Sequence, residues 1–135
     1  MINPKPFDSD ELYDDCNSDP KQVTCFCGEV AFTVFNGRVR MARECACNDC
    51  YQHMKWCRAV GGPDVPQILH GGYWDNDIQL DQGEENLIVV MLRESGRSRR
   101  LVAKCCYSTL IIDHPGYKQL SFLLFENACK IPWDN

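Results

Sequence analysis

Short runs of apolar residues dominate the chain beyond Val23, and Gly, Asn, Asp or Pro separates each run from the next. Residues 30–35 alternate in the manner of a strand, because successive side chains of a strand point to opposite faces. Later runs with the length and composition of strands lie at 67–70, 78–80, 87–92, 100–103, 109–112 and 120–125. This repeated spacing predicts a mainly β fold that is built from antiparallel strands.

Two features interrupt the strand pattern. Asn36-Gly37 favours the tight turn of a β-hairpin, so we expect the strand at 30–35 to pair with a returning strand at 38–43. Residues 48–58 are compatible with one or two helical turns, because Asn48 or Asp49 can cap the amino end and Gly61-Gly62-Pro63 can end the helix. One short helix is therefore predicted.

The chain of 135 residues is long enough to bury one hydrophobic core, which predicts a single domain. Residues 1–22 contain three prolines and a run of Asp and Glu without a sustained period, so we expect an irregular amino-terminal arm that contains Cys16. The β domain is expected to span residues 23–135.

Charge and hydropathy argue against several classes of protein. The formal net charge of −5 lacks the surplus of Lys and Arg that neutralises phosphates, so nucleic-acid binding is not expected. No apolar run approaches the roughly 18 residues of a membrane-spanning helix. Residues 1–15 also lack the regions of a secretory signal. We therefore expect a cytoplasmic protein without a membrane role.

Basic residues concentrate at 93–100, around Gly96. Charge runs in loops are usually exposed to solvent, so a hydrated hairpin tip is the simpler interpretation. A phosphate or anion site is the alternative.

The ten cysteines are the most informative part of the composition. A reducing cytosol keeps cysteines as thiols or as metal ligands. Cysteines this close in sequence rarely form disulfides, because the bond requires separated Cα atoms and suitably directed Cβ atoms. The clustering therefore favours metal, whereas Cys16, Cys57 and Cys129 lack metal spacing and are expected to pack. The clustered cysteines are Cys25 and Cys27, then Cys45, Cys47 and Cys50, then Cys105 and Cys106.

The strongest motif is the CxCxxC of Cys45, Cys47 and Cys50. Residues i and i+2 of an extended segment point to one side, and a CxxC at a helix start can wrap two sulfurs round one ion. Soft thiolates in tetrahedral geometry suit zinc, and an ion with only three protein ligands keeps one position open for water or substrate. This motif predicts an open zinc site.

A second motif combines Cys25 and Cys27 with the glycine at position 28. The same spacing places these sulfurs on one side, but two ligands bind zinc poorly. Cys105 and Cys106 can complete a four-sulfur site only if the fold brings their strand beside the first hairpin. A turn or bulge is then needed, because adjacent residues of a regular strand point to opposite faces.

The ordered combination of motifs resembles the glutathione-dependent formaldehyde-activating enzyme family, which also includes centromere protein V. The resemblance covers about residues 23–113, and it is carried by Thr24-Cys25-Phe26-Cys27-Gly28-Glu29-Val30, the Asn-Gly turn and Glu44-Cys45-Ala46-Cys47-Asn48-Asp49-Cys50. It implies an antiparallel zinc-binding β-tent fold with two zinc ions. The CxCG cysteines and a late pair would hold a structural ion, and the CxCxxC cysteines would hold a reactive one.

The late pair departs from the family pattern. The family has CxxC followed by Gly-Thr, whereas this chain has Cys105-Cys106 followed by Tyr, Ser and Thr. Cys106 aligns best with the second cysteine of that element. Ala103 stands where the first would be, which leaves Cys105 as its substitute.

The resemblance implies a carbon–sulfur lyase that acts on a small thiol adduct such as S-hydroxymethylglutathione, with glutathione as its small-molecule partner. One alternative is a non-enzymatic, zinc-stabilised binding or scaffold module. Another is a thiol or metal sensor in which Cys105-Cys106 is the responsive pair. The oligomeric state is not predicted.

Other residues near these motifs have less specific signals. His53 lies three residues beyond Cys50, so a helix would bring its ring near the same face. It is a candidate fourth ligand, proton shuttle or substrate-binding residue, and a surface histidine is the simpler alternative. Asp49 is expected to cap the helix or to orient a water molecule. Tyr73-Trp74 is expected in the core or in a lid, with Gly71-Gly72 as a mobile edge.

Overall fold

The computed structural model describes residues 19–45, 47–94 and 96–131. Over these residues the protein is mainly β, with antiparallel sheets and one α-helix, which confirms the predicted fold class at this level. The helix, α1, spans Asn48–Ala59, and 3-10 turns lie at Glu84–Asn86 and Pro115–Tyr117. The strands are β1 (Lys21–Thr24), β2 (Ala31–Val34), β3 (Met41–Cys45), β4 (Leu69–Asp75), β5 (Ile78–Gln82), β6 (Leu87–Val90), β7 (Arg99–Ala103), β8 (Ser108–Asp113) and β9 (Ser121–Phe125).

The strands form two antiparallel sheets. The smaller has the order β1-β2-β5, and the larger has the order β3-β4-β9-β8-β7-β6. One face of each sheet contributes to a shared core, where the ring of Phe32 meets the edge of the Phe122 ring at a centroid distance of 6.3 Å. Val23, Trp74 and Leu110 are buried in the same cluster. The main core therefore lies between the two sheets.

Strand β9 is buried on both of its faces. Its side chains alternate, so Phe122 and Leu124 pack in the core between the sheets. Leu123 and Phe125 instead pack in a second cluster that includes Met54 of α1. The helix therefore covers the face of the larger sheet that is turned away from the smaller sheet.

The predicted Asn36-Gly37 hairpin is wrong. Strand β2 pairs with β1 and β5, whereas β3 begins at Met41 and pairs with β4 in the other sheet. The Nδ2 atom of Asn36 donates a hydrogen bond of 2.9 Å to Oδ2 of Asp75 at the end of β4. Residues 35–40 therefore carry the chain from one sheet to the other, because long-range pairing outweighs the local preference for a hairpin turn.

The amino-terminal segment is only partly described. Strand β1 begins at Lys21, inside the segment expected to be an arm, and Thr24 also pairs with Lys130 through hydrogen bonds of 3.1 and 2.9 Å. Cys16 and the rest of residues 1–18 lie outside the described residues. The irregular arm stays a prediction there.

A mobile edge at Gly71-Gly72 is also wrong, because these residues lie inside β4 and pair with β3 on one side and β9 on the other. Trp74 follows in the same strand and is 1% exposed, so it is a core residue. A Cβ atom at Gly71 would overlap the backbone oxygen of Leu124, so close approach of β4 and β9 requires glycine at this position. None of the described helices has the length and apolarity needed to cross a bilayer.

Candidate metal centres

The four-cysteine group consists of Cys25, Cys27, Cys105 and Cys106, whose Sγ atoms all lie within 4.8 Å of one another. The Sγ atom of Cys25 is 3.6 Å from that of Cys27 and 3.8 Å from that of Cys105. With Zn–S bonds of about 2.3 Å, a tetrahedral ion requires S–S separations of about 3.8 Å. The number and spacing of these sulfurs therefore suit one tetrahedral metal ion.

The first half of this group is a tight turn after β1. The backbone N–H of Cys25 donates to the oxygen of Val30 at 3.0 Å, and the N–H of Gly28 donates to the oxygen of Cys25 at 3.1 Å. The N–H of Val30 also lies 3.3 Å from Cys25 Sγ. Gly28 has a φ of +86°, a conformation that glycine adopts without strain. The turn therefore holds the sulfur of Cys25 against backbone donors.

The second half is the turn between β7 and β8. The N–H groups of Cys106 and Tyr107 both donate to the oxygen of Ala103, at 3.3 and 2.7 Å. Tyr107 completes the turn with a φ of 55°. The turn brings two consecutive cysteines toward one site, which a regular strand would prevent. This confirms the expectation that the pair needs a turn at this point, and the turn brings Cys105 beside Cys25.

Ser108 links the two halves, and the sequence reasoning did not single it out. Its buried hydroxyl oxygen accepts a hydrogen bond of 2.8 Å from the N–H of Phe26 and lies 3.0 Å from Cys106 Sγ. Burial acts to raise the pKa of Cys106, but hydrogen bonds from Ser108 and from the backbone of Cys27 outweigh it and lower that pKa to about 7. The one sequence signal for Ser108 was its position two residues after Cys106, at the start of β8.

The three-cysteine group consists of Cys45, Cys47 and Cys50. The Sγ atom of Cys45 lies 3.4 Å from that of Cys47 and 3.6 Å from that of Cys50. These separations again suit a tetrahedral ion. Cys45 ends β3, Cys47 precedes α1 and Cys50 lies in its first turn. No fourth His, Cys, Asp or Glu joins the group within residues 19–45, 47–94 and 96–131.

The predicted helix forms, but it has 12 residues and is longer than the expected one or two turns, and its cap differs. Cys47 is the N-cap, and its Sγ atom accepts a hydrogen bond of 3.4 Å from the N–H of Cys50. The capping role expected for Asn48 or Asp49 is therefore wrong, because a sulfur takes the place of the usual side-chain oxygen. Asp49 lies in the first turn, and its Oδ1 atom accepts from Nη2 of Arg93 at 2.8 Å.

Burial and hydrogen bonds between the sulfurs shift the pKa values of Cys47 and Cys50 in opposite directions. Burial, with hydrogen bonds to the other two sulfurs, raises the pKa of Cys50 to about 12. Burial also acts to raise the pKa of Cys47, but hydrogen bonds from the side chain and backbone of Cys50 outweigh it and lower that pKa. Crowded thiols of this kind do not all lose their protons at neutral pH unless a cation compensates their charge.

Arg43, Tyr73 and Tyr117 border the three-cysteine group. Nη2 of Arg43 is 4.0 Å from Cys45 Sγ, and Nη1 donates a hydrogen bond to the phenol oxygen of Tyr73. The rings of Tyr73 and Tyr117 meet edge to face at 5.3 Å. The sequence reasoning missed Arg43 although it lies two residues before Cys45 on the same face of β3, so strand periodicity could have found it. No sequence signal pointed to Tyr117, which lies in a 3-10 turn that is far from the cysteines in the chain.

His53 lies on α1 but does not join the three-cysteine group. Its Nε2 atom is 2.8 Å from Oγ1 of Thr109 and 3.5 Å from Sγ of Cys57. Nδ1 has no hydrogen-bond partner among the described residues. The residue is 1% exposed, so its interpretation as a surface histidine is wrong. Burial, followed by the positive charge of Arg100, lowers its pKa to about 4.

The whole chain was compared with protein families, curated proteins and solved structures. No protein-family model, curated protein or solved structure matches the chain. The family resemblance of the cysteine motifs therefore stays a prediction. The geometry of the two groups, each of which can hold a metal ion, carries the functional argument.

Proposed function

We propose that this protein binds two zinc ions and acts on a small thiol adduct such as S-hydroxymethylglutathione at the three-cysteine group. The four-cysteine group holds the structural ion in this proposal. The fold is then a zinc-binding β-tent, and the activity is that of a carbon–sulfur lyase of the glutathione-dependent formaldehyde-activating type. A cytoplasmic location belongs to the proposal, because a reducing compartment keeps these thiols available to metal.

The observation that carries the proposal is the different number of sulfurs in the two groups. Four cysteines can close a tetrahedron, as structural zinc sites do. The other group offers three cysteines among the described residues, and catalytic zinc sites typically combine three protein ligands with one open position. The smaller number of ligands among the described residues favours a reactive site over a second structural one.

Zinc in the three-cysteine group supplies Lewis acidity and favours a deprotonated sulfur, without any change of redox state. In the overall reaction, the sulfur of glutathione forms a bond to the carbon of formaldehyde, and the thiol proton ends on the former carbonyl oxygen. Cleavage of the adduct reverses both changes. No external oxidant or reductant is required.

The side chains around the group suit this chemistry. The Arg43 guanidinium, 4.0 Å from Cys45 Sγ, places positive charge beside the sulfurs. Burial and contact with Tyr73 raise the pKa of Tyr117, so its phenol stays protonated at neutral pH. The protonated phenol of Tyr117 can donate a hydrogen bond to a developing alkoxide.

The experiment measures bound zinc per chain and the formation of S-hydroxymethylglutathione by exchange NMR. Cys50→Ala removes one sulfur of the three-cysteine group. The matched control is Cys57→Ala, which removes a buried thiol of the same helix that belongs to neither group. We expect two zinc ions and a rate enhancement in the wild type and in Cys57→Ala, and one zinc ion without enhancement in Cys50→Ala.

Equal rates in Cys50→Ala and the wild type would refute the catalytic role of this group. Two bound ions without any rate enhancement would leave the binding or scaffold module as the better hypothesis. A chain that binds no zinc would overturn the whole proposal and favour the thiol sensor.

A further inference from the structure

A cationic cleft of about 280 Å³ lies beside the first turn of α1. Arg93, Arg97 and Arg100 line it together with His114, and Asp49 is the acidic residue in its wall. Arg93 and Arg97 lie in the connection between β6 and β7, whereas Arg100 lies in β7. All three belong to the segment 93–100, for which a hydrated hairpin tip was the simpler interpretation, and the burial of Arg100 does not fit that interpretation. A wider cleft of about 470 Å³ continues from it past Arg97 and His114.

Arg100 distinguishes this cleft from an ordinary basic surface. It lies in β7 and is 3% exposed, and its Nε atom has no hydrogen-bond partner among the described residues. A buried guanidinium without an acceptor is costly, so a site of this kind is stabilised when an anion enters it. After burial, the charge of Arg100 is the second cause of the lowered pKa of His53.

The other charges of the cleft leave a positive excess. Asp49 pairs with Arg93, with its Oδ1 atom 2.8 Å from Nη2 of the arginine. That pair compensates one of the three arginines. Arg97 is exposed and has no ion-pair partner in the part of the chain that the structure describes. Arg97 and Arg100 therefore both remain available to an anionic ligand.

The cleft adjoins the three-cysteine group along two routes. Asp49, in its wall, lies between Cys47 and Cys50 in the chain. On the other side, the His114 ring contacts the ring of Tyr117 at a centroid distance of 5.6 Å. Tyr117 borders the three-cysteine group through Tyr73. Asp49 and His114 therefore place the cleft next to the three-cysteine group.

We propose that this cleft binds a carboxylate of the thiol on which the three-cysteine group acts. The inference rests on the proposed function, because it assigns the cleft to the substrate of that site. A carboxylate matches the planar fork of an arginine, with which it forms charge-assisted and often bidentate hydrogen bonds. Neutral or cationic thiols lack the recognised group, so the cleft would discriminate among the thiols that reach the three-cysteine group.

The test separates carboxylate recognition from sulfur chemistry by using S-methylglutathione, which keeps both carboxylates but has no free thiol. Its affinity for the zinc-loaded protein is measured by calorimetry for the wild type, Arg97→Gln and Arg100→Gln. Arg58→Gln is the control, since Arg58 is 57% exposed and pairs with Asp64 outside the cleft. We expect a loss of affinity of roughly tenfold or more in each cleft variant, as for a lost charge-assisted hydrogen bond, and none in the control.

The exchange rate with cysteamine, which has no carboxylate, is expected to be the same in Arg97→Gln and the wild type, while KM for glutathione rises in the variant. Because Arg97 is exposed, its variant tests the cleft even if Arg100→Gln does not fold. Equal affinity of Arg97→Gln and Arg58→Gln for S-methylglutathione, or no binding by the wild type, would overturn the inference. If the wild type binds S-methylglutathione through Arg97 but shows no exchange activity, the cleft stands and the proposed reaction falls.

Discussion

Burial of His53 should make the free energy of unfolding depend on pH between about 4 and 6.5. The ring is 1% exposed, and burial together with the charge of Arg100 lowers its pKa from 6.5 to about 4. In the unfolded chain the same ring titrates near its ordinary value. Between these two pH values the unfolded state binds a proton that the folded state does not bind, so acidification favours unfolding.

The magnitude follows from the two pKa values. One pKa unit corresponds to about 1.4 kcal/mol, so the change from 6.5 to about 4 amounts to about 3 kcal/mol in the free energy of unfolding. This contribution is fully present above pH 6.5 and is lost progressively as the pH falls toward 4. About 3 kcal/mol is a large part of the 5–15 kcal/mol that typically stabilises a domain, so the effect is measurable.

The assay is urea unfolding of the wild type and His53→Gln, followed by tryptophan fluorescence from pH 7.5 to pH 4.5. Glutamine does not titrate, and its amide can replace the hydrogen bond from the ring to Oγ1 of Thr109. His70→Gln is the control, because the His70 side chain is 45% exposed. The cysteine groups titrate in all three proteins, so their contribution cancels in the differences between them.

We expect the wild type to lose about 2 to 3 kcal/mol relative to His53→Gln over this range, and His70→Gln to follow the wild type. Parallel curves for the wild type and His53→Gln would refute the reasoning. An NMR titration of the His53 ring with a midpoint near 6.5 would refute it as well.

Three further predictions address the metal, the sheet and the connection between the sheets. Removal of metal with a strong chelator at pH 7 should abolish or greatly weaken the cooperative thermal transition measured by circular dichroism, and an unchanged transition would contradict structural metal. Gly71→Ala should destabilise the protein by about 1 to 3 kcal/mol in chemical denaturation, because its Cβ would overlap the backbone of Leu124. The matched variant Gly72→Ala should cost less, because its Cβ meets a side-chain methyl group of Val39, and equal losses would refute the distinction. The hydrogen bonds from Arg40 lower the pKa of Asp75, so the stability from this pair should be present above about pH 4 and lost as the pH falls through the lowered value. Asp75→Asn should remove that acid-side loss in urea unfolding, and an unchanged pH profile would contradict the assignment.

Local patterns predicted most of the secondary structure, although β1 begins inside the segment expected to be an irregular arm. The alternation at 30–35 contains β2, the apolar runs beyond residue 67 correspond to β4 through β9, and the predicted helix at 48–58 is α1 with one added residue, Ala59. Which strands pair with one another was harder to predict from the sequence. Asn36-Gly37 has the composition of a hairpin turn, but its segment crosses between sheets because Asn36 and Arg40 both form hydrogen bonds with Asp75.

The local pairing of cysteines within each group also follows from the sequence. The i, i+2 spacings of Cys25 with Cys27 and of Cys45 with Cys47 act through backbone geometry within a few residues, where the chain has few alternatives. The structure places both pairs accordingly, with sulfurs 3.6 and 3.4 Å apart. The sequence predicted that a turn is needed at Cys105 and Cys106. It did not predict that the turn between β7 and β8 would lie beside the turn that follows β1.

The tertiary structure alone decided the surroundings of these groups. Tyr117 beside the three-cysteine group and the buried Arg100 of the cleft carry no local signal, because each acts on residues far away in the chain. Ser108 lies two residues from Cys106, but its hydrogen bond with Phe26 joins distant parts of the chain. His53 shows the same limit, since a helical spacing from Cys50 specifies an approximate face but not the packing that directs the ring to Thr109. Short-range spacing is set by covalent geometry, whereas burial and partners are set by the packing of the whole chain.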